Sequence, residues 1–275
     1  MGELSYLYHY TSIETLALIL KNKTIRFSSL SRVDDIEEQR TVDYGDLGRF
    51  CFVSCWTNET EESIPLWNLY TPNMTGVRIK LPVNPFKTVK VDPDGIHIKE
   101  SYETHPSLTN EKLSAHGCLL NTPYLASLYQ VQYTDDPDKL NRRVLTEKKP
   151  ETKMVNGVKK TSLEKNISIK DIGIYKNKQW AFQKEYRYKF FVVPWTMRDL
   201  ELVKSYEDQA KLIDRLETEK LKKDFFDLEL DEHALNDMEI LIGPRANYAQ
   251  KQIIESLIND LNPSANVWES NLGIR

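Results

Sequence analysis

The sequence predicts an α+β fold: mixed, mainly antiparallel β-sheets with flanking helices. Three observations predict it. Short apolar alternations recur along the chain, few amphipathic stretches of helical period interrupt them, and the two do not alternate as a βαβ series. At 275 residues the chain is long enough to bury a sizeable core, and a single domain over residues 1–275 is expected.

Residues 4–10 read as a strand. Thr11 and Glu14 then match the spacing of a capping box, and Ile13, Leu16, Ala17 and Leu20 share one face of the following helix. Lys21, Asn22 and Lys23 end it, and residues 24–28 read as a second strand. The acidic residues Asp34, Asp35, Glu37 and Glu38 read as loop or helix surface. Residues 50–56, FCFVSCW, alternate as a strand with Cys51, Val53 and Cys55 on one face. IPLWNLYTP reads as a short helix with Trp67 and Tyr70 on one side, and residues 76–81, GVRIKL, as a strand closed by Pro82.

Residues 89–91 and 96–98 are further strand candidates, and residues 125–133 fit either a helix or a strand. Residues 136–172 have the composition of a basic insertion: residues 139–170 hold ten Lys or Arg against three acids. Part of that stretch lacks apolar periodicity and carries the turn pair Asn156–Gly157, as a mobile insertion would. Residues 180–193 read as one long strand, 200–227 as a charged and broken helix, 238–242 as a strand, 248–261 as an amphipathic helix, and a short strand near Val267 closes the pattern.

A formal charge of −4 argues against a surface coated in basic residues for duplex DNA, though not against a local patch. No secretory signal and no apolar run near 18 residues is seen, and Tyr6 stands where a myristoylation motif needs Ser or Thr, so no membrane association is expected. Three cysteines suit a reducing cytoplasmic setting.

The chemistry-bearing residues fall in four places. Strict alternation sets Gln183, Glu185, Arg187 and Lys189 on one face of the 180–193 strand, so an amide, a carboxylate and a guanidinium share an otherwise apolar element. If buried, they need partners, and an ion-pair network or a solvated face is the plainer account than a ligand site. His9, Tyr10 and Thr11 stand just before a helix, whose N-terminus suits an anion such as a pyrophosphate; a core histidine beside an ordinary cap is the plainer account. Trp67 and Tyr70 form either a ligand wall or core packing. Arg142, Arg143, Lys148 and Lys149 form a patch for an acidic partner or a solvated loop. Cys51, Cys55, His116 and Cys118 lack finger spacing, so no metal is expected, and no Walker loop, dinucleotide fingerprint, nucleophile elbow or zincin motif is present.

Taken in order, LYHYTS, IRFSS, FVSCW, LWNLY with GVRIKL, QKEYRY and EILIGPR resemble an uncharacterised bacterial and phage domain family with YHYTS, W-x-x-Y, G-V-x-I and E-Y-R signatures, from about residue 7 to the C-terminus. The opening is also similar to ADP-ribosyltransferases of the DNA-targeting toxin type, and Gln183-Lys184-Glu185 fits their Gln-x-Glu pattern. That resemblance implies an ADP-ribosyltransferase-like fold and NAD as substrate. It casts His9 and Glu185 as catalytic, with His9, Tyr10, Thr11, Ser28 (or Ser29), Trp67, Tyr70, Gln183 and Arg187 around the dinucleotide. It further implies cleavage of the nicotinamide–ribose bond and modification of a protein or nucleic acid in a toxin or phage-defence setting. The chain departs from the pattern in lacking a full Ser-Thr-Ser motif and in placing Arg187 beside the glutamate. A non-catalytic nucleotide-sensing or partner-binding module is the alternative, and a nucleic-acid hydrolase using Glu185, Asp34 and Asp35 around a divalent ion is a third reading.

Overall fold

The computed structural model describes residues 4–93, 100–121, 125–147, 151–155, 158–162 and 165–274. Its centre is a forked, mainly antiparallel sheet. Strands β1 (Tyr6–Thr11), β2 (Thr24–Ser29), β3 (Cys51–Thr57) and β4 (Val77–Pro82) lie in the order β2-β3-β1-β4. Strand Phe225–Glu229 extends the sheet beyond β2, and Glu239–Ile242 followed by the parallel strand Asn266–Glu269 extends it beyond β4.

The fork is at β3. The long strand Glu185–Val193 pairs with it from Glu185 opposite Thr57 to Phe191 opposite Cys51. The opposite edge of β3 is shared: β2 takes Phe52 and Val53, and β1 reaches only Thr57. β1 and β2 therefore diverge around the Ser54–Trp56 part of β3. On its far side the long strand carries Ser127–Gln130 and Leu119–Leu120.

Helix α1 (Ile13–Asn22) buries Leu16, Ile19 and Leu20 and packs beside helix Tyr248–Leu261. The main core joins these helices to Phe27, Phe52, Trp56, Ile79, Tyr188 and Phe190 of the sheet. Helix α2 (Ile64–Tyr70) starts at Ser63, with Pro65 in its first turn, where a missing N–H costs nothing. No described helix is long and apolar enough to cross a membrane.

Several expectations are corrected. The α1 cap is Ser12, not Thr11. Thr11 is still paired to Val77 in the ladder, so Ser12 is the first residue free to cap, and its Oγ accepts from the Thr15 N–H at 3.2 Å. Glu14 is then one position early for a capping box. Residues 180–193 are not one strand: Lys178–Gln183 is a 3₁₀ turn, Lys184 takes a left-handed backbone with φ of 45°, and the strand begins at Glu185. Residues 200–227 contain helix Tyr206–Thr218 but end in the edge strand Phe225–Glu229, because its apolar side faces the sheet core at Phe226 and Leu228. Residues 125–133 form strands Ser127–Gln130 and Gln132–Thr134. In the basic segment Leu145–Glu147 pairs with Lys165–Ile167, and Glu151–Val155 pairs with Val158–Ser162. That pairing contrasts with the aperiodic insertion expected; Asn156, Gly157 and the strand candidate at residues 96–98 lie outside the described residues.

The cap reassignment is directly testable. Ser12→Ala should cost about 1 kcal/mol in chemical denaturation, the usual worth of an N-cap, while Glu14→Gln should shift the midpoint far less.

Candidate functional site

The site grows from the alternation of the long strand. Glu185 and Arg187 point to the same side, two residues apart, and both are buried, at 4% and 0% exposure. A guanidinium there must find partners for five N–H groups, and Arg187 does. Its Nε and Nη2 donate to the two oxygens of Glu185 at 2.5 and 3.0 Å. Nη1 and Nη2 donate to the two oxygens of Glu38, the latter at 3.0 Å, and Nη1 also reaches the Gly173 carbonyl at 3.1 Å. Lys176, equally buried, bridges the carboxylates from 3.2 Å to Glu38 and 3.3 Å to Glu185, with Trp180 beneath its ammonium at 4.7 Å.

Two carboxylates and two cations thus close a neutral buried cluster. Burial raises the Glu185 carboxyl, but the charges of Arg187 and Lys176 and the hydrogen bonds from Arg187 and Cys55 outweigh it and hold it at about 2, against an ordinary 4.5. The Cys55 thiol is pushed well up by burial and by the Glu185 charge, so it is no thiolate nucleophile. The Glu185 N–H donates to the Tyr133 hydroxyl at 2.8 Å.

Against this cluster lies a small cavity of about 60 Å³, room for a few water molecules. Tyr8, His9, Tyr10, Cys55, Trp56, Thr57, Leu66, Tyr70, Gln183 and Glu185 line it. His9 enters through the fork in the sheet. Its Nδ1 meets the Cys55 carbonyl at 2.8 Å, and its ring lies 5.1 Å from that of Trp56. A carbonyl only accepts, so Nδ1 carries the proton and Nε2 keeps its lone pair. Burial lowers the pKa of His9 and keeps the ring neutral, against a smaller upward pull from that hydrogen bond.

On the opposite wall the Tyr70 hydroxyl donates to Asp34 Oδ2 at 2.9 Å and accepts from Gln183 Nε2 at 2.6 Å. Gln183 is 3% exposed, and its Oε1 is the one buried side-chain polar atom without a hydrogen-bond partner among the described residues. Gln183 lines the cavity.

The structure therefore brings together His9, Tyr10, Tyr70, Gln183 and Glu185 and separates the other expected site residues from them. Arg187 has every N–H committed inside the cluster and does not line the cavity. Trp67 is fully buried, edge-on to Tyr10 at 4.8 Å, with its Nε1 donating to Glu62. It is core packing, and it also occupies the Tyr10 ring expected to stack on a ligand. Tyr10 lines the cavity, and its hydroxyl accepts from the Ser63 N–H at 3.0 Å. Thr11 is buried in the ladder opposite Val77, and Ser28 sits between Val53 and Phe225; neither lines the cavity. Ser29 caps the turn at Ser31.

Arg142 pairs with Asp171 at 3.1 Å and Arg143 with Asp43 at 2.9 Å, while Lys148 and Lys149 lie outside the described residues. Among the described residues no group of three His, Cys, Asp or Glu is arranged to hold a metal ion. The sequence reading missed Glu38, Lys176, Cys55 and Trp56 as parts of the site. Glu38 sits in an acidic run that resembles any solvated loop, and only the fold carries it under Arg187.

A family model described as "Protein of unknown function (DUF2971)" matches residues 66–188, less than half of the chain. The match takes in Trp67–Tyr70, GVRIKL and Glu185–Tyr188 but neither His9 nor EILIGPR, and so is narrower than the resemblance from residue 7 onward. Neither the curated proteins nor the solved structures gave a match.

Removing Arg187 would leave two buried carboxylates facing one ammonium. Arg187→Met should cost about 3–5 kcal/mol, the usual price of half a buried pair. The acid dependence should change with it. Because the folded Glu185 titrates below its unfolded value, its contribution is complete above about pH 4.5 and fades as pH falls toward 2. Wild-type denaturation midpoints should therefore fall between pH 5 and 3. In Arg187→Met that fall should shrink or reverse, since protonation would then relieve the buried charge.

Proposed function

We propose that this chain is an ADP-ribosyltransferase-like protein whose cavity takes the nicotinamide–ribose portion of NAD. One observation carries this: His9 and Glu185, far apart in the sequence, line a single cavity with Tyr70 and Gln183. His9 Nε2 and the Glu185 carboxylate are acceptors, the property that ribose hydroxyls require. Glu185 is ionised at neutral pH and would orient the ribose and face the oxocarbenium-like charge that develops as the nicotinamide–ribose bond breaks. The N-terminus of α1 follows His9 closely and has the polarity a pyrophosphate prefers. A dinucleotide exceeds the 60 Å³ present, so binding requires the cavity to widen. The acceptor is a protein or nucleic acid, in a cytoplasmic toxin or phage-defence setting. The Asp171 and Asp43 partners of Arg142 and Arg143 give no support to those two as its docking patch.

A second reading has its own observation in favour. Arg187 and Lys176 neutralise Glu185 and Glu38, which weakens the field Glu185 can turn on a developing cation. On that ground a non-catalytic module that binds a nucleotide is the alternative.

Labelled NAD separates the two. The transferase reading expects nicotinamide release by the wild type, with or without lysate as acceptor, and a loss of at least 100-fold in Glu185→Gln and in His9→Ala, which tests the site without touching the ion cluster. NAD binding in calorimetry with no release would leave the binding module. Neither release nor binding by folded protein would end both.

A further inference from the structure

The wall of the cavity opposite His9 contains a device that sets its hydrogen-bonding polarity. Asp34 is exposed and, when ionised, only accepts. The Tyr70 hydroxyl, 2.9 Å away, must therefore donate to it. Its oxygen is then left as an acceptor, so Gln183 must approach with its NH₂ end, at 2.6 Å. The opposite end of the amide, Oε1, is left buried and without a hydrogen-bond partner, on a residue that lines the cavity. Were the Tyr70 proton free to turn, the amide could flip and offer N–H groups instead. Burial and the Asp34 charge both raise the Tyr70 pKa far above its ordinary value, which keeps the proton on the hydroxyl.

We propose that Asp34 is a positioning residue that, through Tyr70, holds Gln183 Oε1 toward the cavity and so selects ligands presenting an N–H or O–H donor at that point. His9 Nε2, with its proton fixed on Nδ1, adds a second acceptor, and Glu185 a third. The three acceptors suit a ligand rich in donors, such as a primary carboxamide or a vicinal diol, and disfavour ketones, ethers and esters of the same shape. The proposal rests on the cavity being the ligand site, as above, but not on turnover of NAD.

The test uses two neutral isosteres, nicotinamide and 3-acetylpyridine, which differ by an NH₂ against a CH₃. The wild type should bind nicotinamide about tenfold more tightly, since the ketone would leave a buried acceptor unpaired. Asp34→Asn, a surface change, should bring the preference to within about threefold, and Tyr70→Phe should abolish it. In the unliganded protein, NOEs between the Gln183 side-chain NH₂ and the Tyr70 ring should be strong in the wild type and weakened in Asp34→Asn. Equal binding of the two probes by the wild type, binding of neither, or a preference and NOEs unchanged in Asp34→Asn would overturn the proposal. Failure is separable from that of the enzyme reading. Absent NAD turnover with the probe preference intact removes the transferase alone, and turnover without any preference removes the polarity device alone.

Discussion

The guanidinium of Arg187, shared between Glu185 and Glu38 with Lys176 alongside, is the interaction on which the rest of this structure depends. It joins three pieces of chain: the long strand, the segment after β2, and the stretch that holds Gly173 and the strand Tyr175–Asn177. A charge buried this deeply is tolerated only when each donor and acceptor is matched, and replacement of any one member leaves an uncompensated ion. The cluster therefore ties the position of the site to the completion of the fold. Glu185 is both a cluster member and a cavity wall, so that wall is held from behind by ion pairs.

The cavity itself follows from a geometric constraint on the sheet. β3 pairs along its whole length with the long strand, but its other edge is divided between β2 and β1. Where those two strands part, the Cys55 carbonyl is met by the His9 ring instead of a backbone amide. That contact orders the imidazole tautomer and leaves Nε2 as the free nitrogen. On the facing wall, Gln183 donates to Tyr70 and Tyr70 to Asp34, a second ordered hydrogen-bond chain. The acceptors His9 Nε2, Gln183 Oε1 and Glu185 thus each belong to a side chain held by a hydrogen-bonded partner, an arrangement that favours preorganised recognition over adaptable contact.

Much of the local structure was legible from the residues. The alternation in FCFVSCW and GVRIKL and the 3.6-residue period of ALILKN and of residues 248–261 state the burial pattern directly, because side-chain direction in these elements follows from backbone geometry. The misassignments occurred where tertiary pairing overrode a local signal. Thr11 has the chemistry of a cap, but its ladder bonds to β4 move that role to Ser12. Trp180 to Lys184 continue an apolar-rich pattern, but a 3₁₀ turn ends in a left-handed residue before the strand begins.

His9, Gln183 and Glu185 were recognisable as chemically unusual from sequence, since each is a polar group embedded in an apolar pattern. Which of them line a cavity was not, because a polar residue looks the same in sequence whether it meets solvent, a cavity or a buried counter-ion. The sequence by itself determined the α+β class, the positions of β1 to β4, α1, α2 and helix Tyr248–Leu261, and the candidates His9, Tyr70, Gln183 and Glu185. Only the tertiary structure decided that Glu38 and Lys176 neutralise Glu185, that Arg187 and Trp67 are interior, and that Asp34 orients the Gln183 amide. The physical reason is that pairing partners distant along the chain leave no periodic trace; their choice is made by the register of the strands and the closure of the loops that carry them.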